Sequence, residues 1–79
     1  MSLRTIIVSV FEAVAVEQKR KLSPLSDNLN LLQSGLDSLS FALIVARLED
    51  SLQVDPFDSV DSFPVTFGDF VNLYDKART

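Results

Sequence analysis

Three blocks of apolar residues recur at helical spacing, and the chain's prolines, Pro24, Pro56 and Pro64, all fall between them. That pattern restricts the chain to short helices that must pack against one another. In the first block Leu3, Ile6, Ile7, Val10, Phe11 and Val14 define one face of a helix over residues 3–19, with Ser2 as its N-cap. The β-branched run Ile6-Ile7-Val8 would also suit a strand, but the length of the block and the stretch Phe11–Gln18 favour helix. Lys19-Arg20-Lys21 falls in or just past the last turn, where cations complement the helix dipole, and reads as a solvated helix end.

The second block spans residues 38–52 and follows Asp37, a good N-cap. It carries two apolar stripes. Phe41, Ile44, Val45, Leu48 and Leu52 form one; Leu39, Ala42, Leu43 and Ala46 form the other. One stripe is enough to join a core, so the second is either covered by chain or open to a partner. Glu49 and Asp50 lie at the unfavourable pole of the dipole, as fraying into solvent or a basic partner would allow. Val54-Asp55-Pro56-Phe57 ends the helix, because the residue before a proline leaves the helical region. Asp58–Phe63 is expected to form one short helical turn before Pro64 breaks the chain again.

The third block is a helix over residues 67–77. Thr66 and Asp69 make a capping-box variant. Phe67, Phe70, Val71, Tyr74 and Ala77 form its core stripe, where Tyr74 could use its hydroxyl at the rim, and Lys76 and Arg78 close the C-terminal end. Residues 22–37 link the first two helices. Ser23-Pro24 and Asp27-Asn28 are turn signals, yet Leu22, Leu25, Leu29, Leu31 and Leu32 run through the segment. It is therefore expected to lie across the core, and Gly35 to allow a tight turn or a close backbone approach. The fold class is all-α: one domain over residues 1–79, a small four-helix bundle of three main helices and one short helix, with a long loop between helices 1 and 2.

A chain of 79 residues buries only about 60% of its unfolded surface. With no cysteine and no histidine, neither a disulfide nor a zinc site can help, so the 47% apolar content must supply the core. The net charge is −4. Four cations face two acids in residues 1–21, and three face nine in residues 22–79. Such an acidic body disfavours nucleic acid and anionic membranes. No apolar run approaches the roughly 20 residues of a membrane span. The first residues resemble a signal peptide only faintly, since Glu12 interrupts the apolar part and Glu17–Lys21 is no cleavage site. A cytoplasmic monomer is expected.

Catalytic machinery is not legible. The lack of histidine removes the commonest general base, no G-x-S-x-G elbow surrounds a serine, and Asp55, Asp58 and Asp61 lack the rest of a calcium loop. What stands out is Gly35-Leu36-Asp37-Ser38-Leu39, where an irregular segment gives way to a long apolar helix. Ser38 lies in its first turn. A phosphate joined to Ser38 would meet the positive helix pole and free amides. Asp37 would repel that phosphate, but it could orient the serine hydroxyl or help bind a metal in a modifying enzyme. Taken alone, the string reads first as an ordinary helix cap, and only its context changes that balance.

In its context, from about Leu3 to Ala77, the sequence resembles the acyl carrier protein family, including peptidyl carrier domains. Gly35–Leu39 carries the specific part of the resemblance and Thr66–Phe70 supports it. The resemblance implies that Ser38 bears a phosphopantetheine arm from coenzyme A, with Asp37 its motif neighbour. It implies that the arm's thiol holds an acyl or aminoacyl group as a thioester. The partners it implies are a phosphopantetheinyl transferase, an acyl or amino acid ligase and downstream acyl-transfer enzymes. It places Leu39, Ala42 and Ala46, and with them Leu43, on the partner-facing side. Leu43 stands where fatty-acid carriers commonly have an acid, and Arg47 adds a cation, which points to a dedicated carrier with its own ligase and makes an amino acid one candidate cargo. The alternative is an unmodified helical interaction domain that kept a carrier-like fold.

Overall fold

Ser2 caps the first helix as its chemistry demands, its Oγ accepting the Thr5 amide at 3.2 Å. The structure is a computed structural model that describes residues 2–59 and 63–78. Helix α1 spans Leu3–Glu17, α2 Ser38–Leu52 and α3 Phe67–Arg78. Among the described residues there is no strand, only one isolated bridge between Asn30 and Thr66. The architecture is the expected all-α bundle. Two single 3-10 turns supplement it, at Leu31–Gln33 and Pro56–Ser59. The second turn begins two residues before the predicted Asp58–Phe63 turn, and residues 60–62 of that prediction lie outside the described residues.

Phe11 organises the core. It is fully buried, and its ring meets those of Phe67 and Phe70 edge-on at 5.2 Å each and Phe41 at 6.2 Å. One side chain thus joins all three helices. Such pairs contribute roughly 0.5–1.5 kcal/mol each beyond the area they bury. Ile7, Val14, Ile44, Leu48 and Tyr74 complete the buried centre. Tyr74 corrects an expectation: it is fully buried, and its hydroxyl is not at the rim and has no hydrogen-bond partner among the described residues. Ala77, placed in the core stripe by spacing, is exposed. The capping box at α3 forms in both directions, Thr66 N to Asp69 Oδ2 at 3.3 Å and Asp69 N to Thr66 Oγ1 at 3.1 Å.

Helix α1 stops two residues short of its predicted end. Lys19 takes the left-handed conformation at φ +55°, and the Arg20 amide turns back to the Ala15 carbonyl at 2.8 Å while that of Lys19 reaches Val16. This is a Schellman end built on lysine where glycine is usual. The basic cluster therefore lies past the helix, and the turn directs the chain toward the start of α2.

The long connection is stitched to the bundle by its backbone. Phe67 N bonds to Leu29 O, Leu31 N to Val65 O, and Gly68 N to Asp27 O. Leu31 is buried, and Leu22, Leu25 and Leu29 pack partly on the core. Leu32 does not: it is 89% exposed, because the turn at Leu31–Gln33 puts one leucine in and the next out. Gly35 has φ +95°, and a Cβ there would lie 2.1 Å from the Lys21 carbonyl oxygen. Both the turn and the close approach foreseen for it are present.

Candidate functional site

The Gly35 turn buries Leu36 and delivers Asp37 in extended conformation to the head of α2. Asp37 Oδ1 accepts the Ser40 amide at 2.8 Å, and its carbonyl accepts the Phe41 amide at 3.1 Å. Its other carboxylate oxygen, Oδ2, takes the Arg20 guanidinium at 2.5 Å. The Ser40 amide, then the nearby Ser40 hydroxyl, hold the Asp37 carboxyl down to about 2; partial desolvation opposes them and Arg20 adds to the lowering. The Ser40 hydroxyl is itself buried and makes no hydrogen bond of good geometry among the described residues.

Ser38 is the first residue of α2 and is exposed. Its hydroxyl makes no hydrogen bond among the described residues. The cap uses the Ser40 and Phe41 amides, so those of Ser38 and Leu39 remain at the positive pole of the helix. A groove of about 800 Å³ begins at Ser38. Along α2 it passes Ala42, Val45 and Ala46 to Glu49; its other side is formed by Leu31, Leu32, Phe63, Pro64 and Val65, with Phe41 and Phe57 also lining it. Among the described residues only Asn30, Ser38 and Glu49 bring polar side chains to its lining. The exposed Leu32 and Val65, which sequence reasoning did not single out for the site, are rim residues of this groove.

The predicted partner stripe divides. Ala42 and Ala46 are exposed and line the groove. Leu39, 58% exposed, stands outside the groove. Leu43 is half-buried and packs against the core. Arg47 forms a two-pronged ion pair with Glu17, at 2.7 and 2.5 Å, which lowers the Glu17 carboxyl and raises the Arg47 guanidinium. Its charge is thus met within the chain. Arg20 is the residue sequence reasoning missed. It lies 17 positions from Asp37, and no local spacing signals that the two meet.

The family model described as the phosphopantetheine attachment site matches residues 3–61, which includes the whole head of α2. The chain belongs to that family. It is therefore a carrier protein of the acyl and peptidyl carrier type, a carrier and not a catalyst, and its family bears a covalently attached phosphopantetheine group. Carriers of this family interact with transferases and acyl-handling enzymes. Comparison with curated proteins found no match, and neither did comparison with solved structures. No helix among the described residues is long and apolar enough to cross a membrane. The residues at the head of α2 fit the prosthetic group: an exposed, unbonded hydroxyl, free amides for a phosphodiester, and an apolar groove leading away.

Proposed function

We propose that Ser38 is the attachment residue and that this carrier holds an acyl group as a thioester and delivers it to partner enzymes. The observation that carries the reading is the position of Ser38: exposed, without a hydrogen bond, at the amide-bearing end of α2 and at the mouth of the groove. When bound, the arm supplies the thiol that the cysteine-free chain lacks. The chain itself holds Ser38 rigidly, since the Asp37 cap and the Gly35 turn fix the backbone on either side. A separate transferase and a ligase act on this site, and downstream enzymes meet Leu39, Ala42 and Ala46, with the exposed part of Leu43 beside them. The carrier works as a cytoplasmic monomer in this reading.

The groove's lining favours an apolar acyl cargo over a polar aminoacyl one, because a charged amino group would lose its hydration among phenylalanine, leucine and valine side chains. Incubation with coenzyme A and a broad-specificity transferase, followed by intact mass, tests the attachment. Loading the resulting thiol with acyl groups of increasing length, and with amino acids, tests the cargo. Apolar acyl groups are expected to raise the melting temperature by entering the groove, and aminoacyl groups to leave it unchanged. A reversed order would favour the aminoacyl carrier.

A further inference from the structure

Arg20 reaches the head of α2 from just past the end of α1, and it does so by construction. The left-handed Lys19 and the Arg20 amide bond to Ala15 fix the backbone from which the guanidinium extends. One N–H donor is spent on Asp37 Oδ2; the others have no acceptor among the described residues, and the side chain is 45% exposed. Next to Asp37 in the chain is Ser38, with the free amides of Ser38 and Leu39. Without Arg20, a phosphodiester on Ser38 would sit beside an uncompensated carboxylate.

We propose that Arg20 is the counter-ion of the attachment site, a positioning residue that holds Asp37 before the arm is attached and is shared between Asp37 and the arm's phosphodiester afterwards. This rests on Ser38 being the attachment residue. A guanidinium suits the role because its fork of donors can engage a carboxylate and a phosphate oxygen at once, which an ammonium does less well. The pair also bridges the two ends of the long connection, so Arg20 links the arm's anchor to α1.

The test uses the arm-bearing protein, with phosphorus NMR of the phosphodiester and proton–nitrogen spectra of the arginine side chains. In the parent, attachment should shift the Arg20 guanidinium signal, and the phosphorus line should differ from that of a solvent-exposed diester and move toward it as salt is raised. Arg20→Gln should place the line at the exposed value at low salt. Arg20→Lys should restore part of the displacement, and Lys21→Gln, which removes the same charge without touching Asp37, should leave the line where it is in the parent. A phosphorus line identical in the parent and Arg20→Gln would overturn the assignment and leave the pair an ordinary surface contact. Failure of the arm to attach at all, seen by mass before any spectrum, would instead overturn Ser38 and take the Arg20 role with it.

Discussion

Arg20 and Asp37, 17 residues apart in the chain, meet in an ion pair at the head of α2. The pair joins the ends of the connection whose path decides whether Ser38 is presented. With the Ser40 amide on its other oxygen, the Asp37 carboxylate is engaged on both sides by its own chain.

The pH dependence comes from that engagement. Asp37 is held at about 2 in the folded chain, below its ordinary 3.8, chiefly by the Ser40 amide. A depressed carboxyl stabilises the fold above its unfolded value, and that contribution is lost as pH falls through the folded one. Stability should therefore decline between pH 4 and pH 2. In Asp37→Asn, which keeps a capping oxygen but no charge, the decline should be shallower. Urea unfolding followed by circular dichroism across this range checks it; equal declines in the two proteins would refute the role of Asp37.

Gly35→Ala combines a disfavoured positive φ with a Cβ placed against the Lys21 carbonyl oxygen. It should cost about 2–4 kcal/mol, read from urea midpoints, since backbone strain and overpacking each cost roughly 1–3 kcal/mol. Neither obstacle lies on a flexible side chain that could move aside.

Tyr74→Phe should leave stability unchanged or raise it by about 1 kcal/mol, because it removes a buried hydroxyl without a partner among the described residues. Burial first, then the negative charges of Asp55 and Glu49, push the phenol above its ordinary value, so Tyr74 should not ionise before alkaline unfolding. Ultraviolet titration of the single tyrosine reads this directly.

Leu39→Glu and Leu43→Glu separate docking from packing. The exposed Leu39 should tolerate the change within about 0.5 kcal/mol and slow loading by the partner ligase. Leu43 packs partly on the core, so its change should also destabilise the fold by about 1–3 kcal/mol. Loading kinetics and thermal melts, measured together, distinguish the two; unchanged loading in Leu39→Glu would remove that residue from the docking face.

Much of the fold is legible in the sequence because local chemistry marks it. Asp37 sets the start of α2, and Thr66 with Asp69 set the start of α3; α2 itself stops at a left-handed Gln53, ahead of Pro56. The end of α1 is not legible, because lysine adopts there a conformation usually signalled by glycine. Periodicity gives the face on which Tyr74 lies but does not separate the rim from the centre of that face. Leucine content points to a covering connection, yet only the turn at Leu31–Gln33 decides that Leu31 is buried and Leu32 lines a groove. At the site, Ser38 and Asp37 stand out by their motif. Arg20 does not, because its partner is fixed by the path of the intervening chain.

Attachment at Ser38 is read most directly from the mass of the protein after incubation with coenzyme A and a broad-specificity phosphopantetheinyl transferase, with the modified residue located by peptide fragmentation. One phosphopantetheinyl unit per chain, on Ser38, is expected, and no gain in Ser38→Ala. A gain on another residue, or none with several transferases on folded and initially unmodified protein, would contradict it and favour an unmodified domain that binds its partner through α2.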